Sequence, residues 1–384
     1  MIRNTNEIER IISEIRSWVR ERCIPNEKRV DDEDAIPSEI EAEMKKMKLF
    51  GYSIPEAYGG MGMTMEELAL AAIELSYCSP AFRARFGGNT GVSSEGLVQD
   101  GTAEQRSRWL PGMASGEVTG CFALTEPDTG SDAASLQTSA RRDGDHFILN
   151  GVKAFITNAP LADLFTVFAR TGPGERADGV TAFLIPRGTP GLTTGEPYKK
   201  MGQNGSPVSH VLLNDCLVST ADIIGGEAML GKGFKTVFKA LNKQRIHLAA
   251  LSVGPAIRLV DEATRYAMSR KQFNRPIADF QLVQALLADC QTDVTAARAL
   301  VMETARKRDD GLDVTMEASI SKYFCTEMLG RVADRAVQIF GGRGYVEDDG
   351  IARFYRDVRA LRIYEGTSQI HQLNIAKQML SAAR

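Results

Sequence analysis

The chain has 384 residues, of which 43% are hydrophobic and 25% charged, and carries a formal net charge of −3. That is the make-up of a globular, core-forming protein of two or three domains. It has no basic block and no long apolar run, which argues against a nucleic-acid partner, an acidic membrane surface or stable membrane insertion. Cys23, Cys78, Cys121, Cys216, Cys290 and Cys325 include no C-x-x-C pair, so they read as reduced thiols, not as a disulfide frame or zinc site. His146, His210, His247 and His371 lack metal-ligand spacing and read as structural or exposed. The acidic, amphipathic N-terminus has no apolar signal core, so the expected compartment is cytoplasmic, or the mitochondrial matrix if a presequence was removed.

In chain order, residues 1–115 read as a helical domain. Ile8, Ile11, Ile12, Ile15, Trp18 and Val19 recur at the helical period after Asn4, a candidate cap. Ser38 with Glu41, Thr64 with Glu67, and Thr102 with Gln105 each fit a capping box. Residues 65–76 are apolar nearly all round, which predicts a helix buried between neighbours.

Residues 116–228 change period and predict a compact antiparallel β domain, a small barrel or two-layer sheet. Asp143-Gly144 and Asn150-Gly151 each separate strand-like runs and predict two hairpins. Residues 229–384 return to helical patterning, with long elements at about 234–270, 280–308 and 315–340. The first contains Pro255, which predicts a kink or break. The fold class is α+β in the order α, β, α.

Chemistry concentrates in Arg362-Ile363-Tyr364-Glu365-Gly366-Thr367-Ser368-Gln369. A carboxylate in apolar, aromatic surroundings is disfavoured as an anion, which moves its pKa toward that of a general base. Gly366 opens the backbone to a ligand, and Thr367 can cap a new helix. The same residues also read as a surface turn with a solvated glutamate.

Two further stretches bear on that choice: Phe122-Ala123-Leu124-Thr125-Glu126-Pro127-Asp128-Thr129-Gly130-Ser131-Asp132, and Gln338-Ile339-Phe340-Gly341-Gly342-Arg343-Gly344-Tyr345. Physically, the first is an anion-cradling loop and the second a helix-ending glycine cluster. As strings, they resemble the two signatures of the acyl-CoA dehydrogenase family of flavoproteins, and the resemblance covers essentially the whole chain. It implies a helical N-terminal domain, a central β domain and a C-terminal four-helix-bundle-like domain. It also implies FAD as cofactor, an acyl-CoA substrate, an electron-transferring flavoprotein as partner, and a homotetramer sharing its FAD sites between subunits.

Carried over by position, Glu365 matches the base that removes the substrate α-proton while the β-hydride passes to flavin N5, giving a trans-2-enoyl-CoA. Some relatives carry the base on the long helix, where this chain has Gln244. Phe122, Leu124, Thr125, Gly130, Ser131, Phe155, Ile156 and Thr157 match flavin contacts, with Phe155 in place of a tryptophan. Arg270, Gln272, Phe273 and Gln281 match residues that reach a neighbouring subunit's FAD. Gln338, Ile339, Gly341 and Gly342 match its adenosine end, and Thr367 and Gln369 match flavin contacts after the base. Ser131, Asn242, Arg245, Tyr364, Glu365 and Gly366 match substrate contacts, with Asn242 replacing the usual aspartate.

Arg83 falls where glutaryl-CoA dehydrogenase carries an arginine for its substrate's distal carboxylate; an internal salt bridge or solvent exposure is the alternative. A short or branched acyl-CoA is the expected substrate, with a polar or dicarboxylic one as the second option. The rival functions are an acyl-CoA oxidase, an acyl-carrier-protein-linked dehydrogenase, and a catalytically idle flavoprotein scaffold or DNA-associated relative.

Overall fold

The computed structural model describes residues 1–172, 176–347 and 350–383, apart from the side chains of Phe238 and Lys239. Helix α1 (Thr5–Trp18) starts on Asn4, whose side chain accepts from the Glu7 N–H. Helices α2 (Ile24–Glu33), α3 (Ser38–Lys46), α4 (Met65–Leu75), α5 (Pro80–Gly87), α6 (Val92–Asp100) and α7 (Ala103–Ser115) follow. The capping boxes at Thr64/Glu67 and Thr102/Gln105 both form. The one expected at Ser38/Glu41 does not: Pro37 takes the cap position, and Glu41 instead accepts from Arg85 Nε at 2.9 Å.

Seven strands make one sheet: β1 (Gly120–Ala123), β2 (Ser139–Asp143), β3 (His146–Thr157), β4 (Leu164–Arg170), β5 (Val180–Pro186), β6 (Leu192–Thr194) and β7 (Val208–Ser219). Their order is β1-β4-β2-β3-β7-β6, with β5 also on β4. The sheet curls until Phe147 of β3 meets Phe183 of β5 edge-on at 5.4 Å. The pairings β2/β3, β3/β7, β4/β5 and β6/β7 are antiparallel, as expected, but β1/β4 and the single β2/β4 contact are parallel. A parallel pair needs a long crossover, and the 40 residues between β1 and β4 supply one, a span that turn signals alone do not reveal.

Asp143 pairs with His146 across a two-residue turn, so the first predicted hairpin is present. The second is not. Asn150-Gly151 lies inside β3, where the register against β7 slips, making a bulge. The Asn150 amide donates to Asp215 Oδ1 at 3.0 Å and accepts from the Asp215 N–H at 2.9 Å, so its turn-forming capacity is spent across strands. A Cβ on Gly151 would stand 2.5 Å from Thr138 Oγ1.

Helix α8 (Gly233–Ser269) runs through Pro255 without breaking there. A small hairpin, β8 (Lys271–Gln272) and β9 (Arg275–Pro276), leads to α9 (Gln281–Asp309) and α10 (Thr315–Phe340). Helices α11 (Gly342–Tyr345), α12 (Ile351–Arg359) and α13 (Ser368–Ala382) complete the chain. Among the described residues no helix is long and apolar enough to cross a membrane.

One helical core draws Ile15, Leu68, Ala249, Val301, Leu329 and Phe354 from α1, α4, α8, α9, α10 and α12. Strands β4 and β5 are buried on both faces. By their two-residue alternation, Phe165, Val167, Phe183 and Ile185 fill the curl. Leu164, Phe168, Ala182 and Leu184 face Leu97, Leu110 and Met113 of α6 and α7, and Phe234 and Val237 of α8. Helix α8 therefore packs on the sheet at its start and in the bundle beyond it.

The α4/α8 crossing depends on Gly254, where a Cβ would lie 2.3 Å from both the Ile73 carbonyl and Ser76 Oγ. Gly254→Ala should destabilise by about 1–3 kcal/mol, as overpacking does, read as a lower thermal midpoint; an unchanged midpoint would mean that the crossing has slack.

Candidate active site

Glu365 and Gly366 form a left-handed turn, with φ of +57° and +93°, between α12 and α13. A non-glycine residue in this region costs on the order of 1–2 kcal/mol, so neighbours must hold it. The Gly366 carbonyl accepts from Lys322 Nζ of α10 at 2.6 Å. The Glu365 carbonyl accepts from His371 Nε2 of α13 at 3.1 Å, which fixes that tautomer and leaves Nδ1 without a partner. Thr367 caps α13 by accepting from the Ile370 N–H at 3.3 Å. Glu327 of α10 ties both flanks, accepting from Ser368 Oγ at 2.5 Å and Arg362 Nε at 2.9 Å. Among the described residues nothing accepts from the Glu365 N–H.

Burial raises the Glu365 carboxyl above its ordinary range, while Arg245, Arg83 and Lys322 pull it back. The turn therefore holds a half-buried acid faced by three cations from α8, α5 and α10. Arg245 Nη1 donates to Asn242 Oδ1 at 3.2 Å, and the Asn242 amide donates to Thr315 Oγ1 at 3.1 Å. Among the described residues Arg83 has no salt-bridge partner, and it is half-buried, away from open solvent. Its buried Nε has no acceptor among the described residues, and burial lowers its pKa against the opposing influence of Tyr364 and Glu365.

More unpaired atoms lie nearby. His247 is kept neutral by burial, then by Arg83 and Lys243, and its Nδ1 has no partner. Gln244 Nε2 and Arg245 Nε are also without partners. Gln244 Oε1 stands 2.8 Å from where Gly91 would carry a Cβ, and Arg83 Nη1 stands 2.6 Å from the same point on Gly87. Those glycines lie one turn apart at the α5–α6 junction.

On the β domain, Lys153 is fully buried under the loop after β1. Its Nζ donates to Glu126 Oε1 at 2.8 Å and to the Leu124 carbonyl at 3.2 Å. Burial pulls its pKa down to about 8, against the opposing pull of Glu126. Glu126 also accepts from the Gln137 N–H at 2.6 Å and the Thr138 N–H at 2.8 Å. The Ala154 N–H donates to the Thr125 carbonyl at 2.9 Å, zipping the loop to β3.

This leaves Leu124 and Thr125 half-exposed and Gly130 and Ser131 exposed, with nothing within 4 Å of a Cβ built on Gly130. Phe155 is 63% exposed at φ +58° and stacks on Tyr198 at 5.3 Å. Thr157 is exposed beside it, whereas Ile156 turns its side chain into the sheet core. Phe122 is half-buried against Phe168, centroids 4.9 Å apart. An open loop with free hydroxyls beside an exposed aromatic is a cradle fit for a flavin ring.

The remaining expected cofactor residues divide. Arg270, Gln272, Phe273 and Gln281 project from the exposed hairpin and the start of α9, with Phe273 87% exposed. Gln338, Gly341 and Gly342 are exposed at the end of α10, but Ile339 points into the helical core. Thr367 and Gln369 stand at the start of α13 beside Glu365, and Tyr364 is 41% exposed.

Sequence reasoning missed Lys322, Glu327, His371 and the Lys153–Glu126 pair. One signal was available: Lys322 interrupts a buried stripe of Ala318, Ser321, Cys325, Met328, Leu329 and Val332, where a charge has no business unless it has a task.

An α–β–α chain with an open flavin cradle on its β domain and a buried carboxylate in a strained turn defines an oxidoreductase of the flavoprotein class. The chain belongs to the acyl-CoA dehydrogenase family: its sequence matches that family's N-terminal domain over residues 5–117, its middle domain over 121–216 and its C-terminal domain over 231–380. FAD is its cofactor, as in the family.

It is 40% identical over 376 residues to a 3-(aryl)acrylate reductase of Clostridium sporogenes, covering 98% of this chain and 99% of that one. It is 35% identical over 351 residues to a caffeyl-CoA reductase–Etf complex subunit of Acetobacterium woodii, covering 91% and 92%. Among solved structures, glutaryl-CoA dehydrogenase from Mycobacterium smegmatis superposes with a TM-score of 0.91 at 31% identity, covering 99% of this chain and 96% of that one.

Lys153→Met should leave Glu126 buried without its cation, costing about 3–5 kcal/mol and loosening the loop. The purified variant is expected to show less bound FAD and a lower urea midpoint; full flavin content with an unshifted midpoint would remove the pair from this role.

Proposed function

We propose that this chain catalyses α,β-dehydrogenation of an acyl-CoA thioester to a trans-2-enoyl-CoA, with Glu365 as the base. The observation that carries this reading is the Glu365 turn itself. It presents a carboxylate beside a peptide N–H with no acceptor among the described residues, facing Arg245, Arg83 and Lys322. A thioester carbonyl accepting from that N–H would have its α-carbon acidified, as at an oxyanion site, with Glu365 beside it to take the α-proton. When bound, FAD accepts the β-hydride at N5, which completes the carbon–carbon double bond. Arg245 and Asn242, already joined to each other, together with Ser131, Tyr364 and Gly366, hold the thioester arm.

Leu124, Thr125, Gly130, Ser131, Phe155 and Thr157 would hold the flavin, together with Thr367 and Gln369. Phe122 and the backbone at Ile156 support them. The exposed Arg270, Gln272, Phe273 and Gln281, with Gln338, the Ile339 backbone, Gly341 and Gly342, serve the FAD of a second copy, in keeping with a homotetramer. An electron-transferring flavoprotein is the redox partner, a reading supported by the Etf-complex relative. Domain limits at 1–115, 116–228 and 229–384 fit the succession of elements.

The acyl end is polar. Arg83 Nε, Gln244 Nε2 and His247 Nδ1 are all buried without partners, and an acyl group ending in a carboxylate or another strong acceptor would satisfy the two donors. This moves the preference from a short or branched apolar acyl group to a polar one. The similarity to a 3-(aryl)acrylate reductase supports one second reading, in which the same residues work in reverse. Glu365 in its acid form then returns a proton to the α-carbon of an enoyl thioester.

Glu365→Gln should retain FAD and lose about 10²–10⁴-fold in anaerobic flavin reduction; reduction at near the wild-type rate would remove Glu365 as base. Because the base must be ionised and burial raises its pKa from 4.5, the rate should fall as pH drops through a value above that of a free glutamate. Arg83→Ala should abolish any preference for glutaryl-CoA over butyryl-CoA, and an unaltered preference would place the acyl terminus elsewhere.

A further inference from the structure

The base turn keeps its shape because both of its carbonyls are bonded by side chains, and one of these is an ammonium. Lys322 is fully buried on α10, yet has no carboxylate within ion-pairing distance among the described residues. Its hydrogen bond is to a neutral carbonyl, Gly366 O, at 2.6 Å. A buried lysine ordinarily gains a carboxylate partner or loses its charge. Glu327 of the same helix is instead engaged by Arg362 and Ser368.

We propose that Lys322 is a positioning residue for the base: its ammonium anchors the left-handed turn through Gly366 O and supplies a positive charge that favours the ionised Glu365 carboxylate. His371 completes the anchoring on the Glu365 carbonyl. The proposal rests on the reading of Glu365 as base and adds a residue that acts through the backbone of its turn.

Two features of the turn support it. With both carbonyls bonded, the Glu365 N–H is left without an acceptor among the described residues, so the clamp would fix the thioester donor and the carboxylate together. A Cβ at 366 would lie 3.0 Å from His371 Nε2, so a glycine there lets the His371 anchor stand close against the turn.

The groups facing Glu365 are Arg245 from α8, Arg83 from α5 and Lys322 from α10. Those facing Lys322 are Glu365, Arg245 and Glu327, and burial brings its pKa to about 8. His371, pulled down to about 3 by burial, then by Arg245 and Lys322, is neutral throughout the working range. Of the three cations, the two arginines stay charged in any accessible buffer, so Lys322 is the adjustable one.

The test uses FAD-loaded Lys322→Met, which removes both bond and charge, and Lys322→Gln, which keeps a donor for Gly366 O without the charge. Each is compared with the native protein and with Glu365→Gln. Flavin content and thermal midpoint report the fold, and anaerobic single-turnover reduction against pH reports the base. Infrared titration of the carboxyl band, taken as the difference from Glu365→Gln and without substrate, reports Glu365 itself.

Both variants should move the low-pH limb and the infrared midpoint upward by about one unit, the scale of losing one close charge. Lys322→Met should also lose about tenfold or more in kcat with little change in KM, and Lys322→Gln less. If Lys322→Met does not fold, Lys322→Gln decides the charge role alone. Folded, flavin-loaded variants with unmoved limbs and near-native rates would overturn the proposal. If Glu365→Gln still reduces flavin, it is the base reading that fails, whatever the lysine variants do.

Discussion

A carboxylate withdrawn from water stays charged only if cations stand close to it, and cations withdrawn from water are themselves unstable unless something negative faces them. The Glu365 pocket is built on that mutual dependence. Burial raises Glu365 and lowers Arg83, Arg245 and Lys322, and each partially restores another. At 4 Å and an effective dielectric of 20, one pair of charges is worth about 4 kcal/mol, comparable with the effective desolvation penalty of a single ion. One acid among three cations leaves the pocket positive, and a positive pocket is suited to the negative charge that gathers on a thioester oxygen when the α-proton leaves.

The fold exists to bring those charges from three directions. Helix α8 delivers Arg245, α10 delivers Lys322, and α5 delivers Arg83 across the top. Helix α8 can hold its position because its start is packed on the sheet and its middle is in the bundle. The same device appears twice. Lys153 under the flavin loop and Lys322 under the base turn are both buried lysines with pKa values near 8, each bonded to a main-chain carbonyl of an exposed functional loop. They differ in compensation. Lys153 has the Glu126 carboxylate, so its loop is a closed structural unit. Lys322 has a carbonyl and a more distant acid, so its charge remains available to the site.

The order of helices and strands was legible in the sequence because apolar period is a local property. The Thr64 and Thr102 caps were legible because a cap is completed within four residues. Asn150-Gly151 was misread because the dipeptide is equally compatible with a turn and a bulge, and the choice is made by Asp215 on the facing strand. The parallel β1/β4 pair was hidden for a similar reason, since it joins segments separated by the β2–β3 hairpin. Glu365 and Arg245 were singled out through their surrounding strings, and the fold sets one against the other. Lys322 and His371 were not, because they act on backbone carbonyls and leave no spacing pattern with the groups they hold. At Ile156 and Ile339 the position matches a cofactor contact while the side chain itself faces the core, which alternation along β3 decides for the first and the helical face decides for the second.

The unpaired atoms around the acyl end carry the argument one step further. Folded proteins satisfy roughly nine-tenths or more of their buried polar groups, yet Arg83 Nε, Gln244 Nε2, Arg245 Nε and His247 Nδ1 lie unpaired among elements that converge on one turn. An apolar tail gains about 0.8 kcal/mol per methylene buried, whereas each polar group left without a partner costs about 1–3 kcal/mol. A three- or four-carbon apolar tail therefore gains roughly what two stranded groups cost, and it would bind with little net advantage. A tail carrying its own acceptor reverses the sign of the second term and keeps the first. On the proposed reading the pocket would select by penalty, and the penalty would fall on short apolar acyl chains.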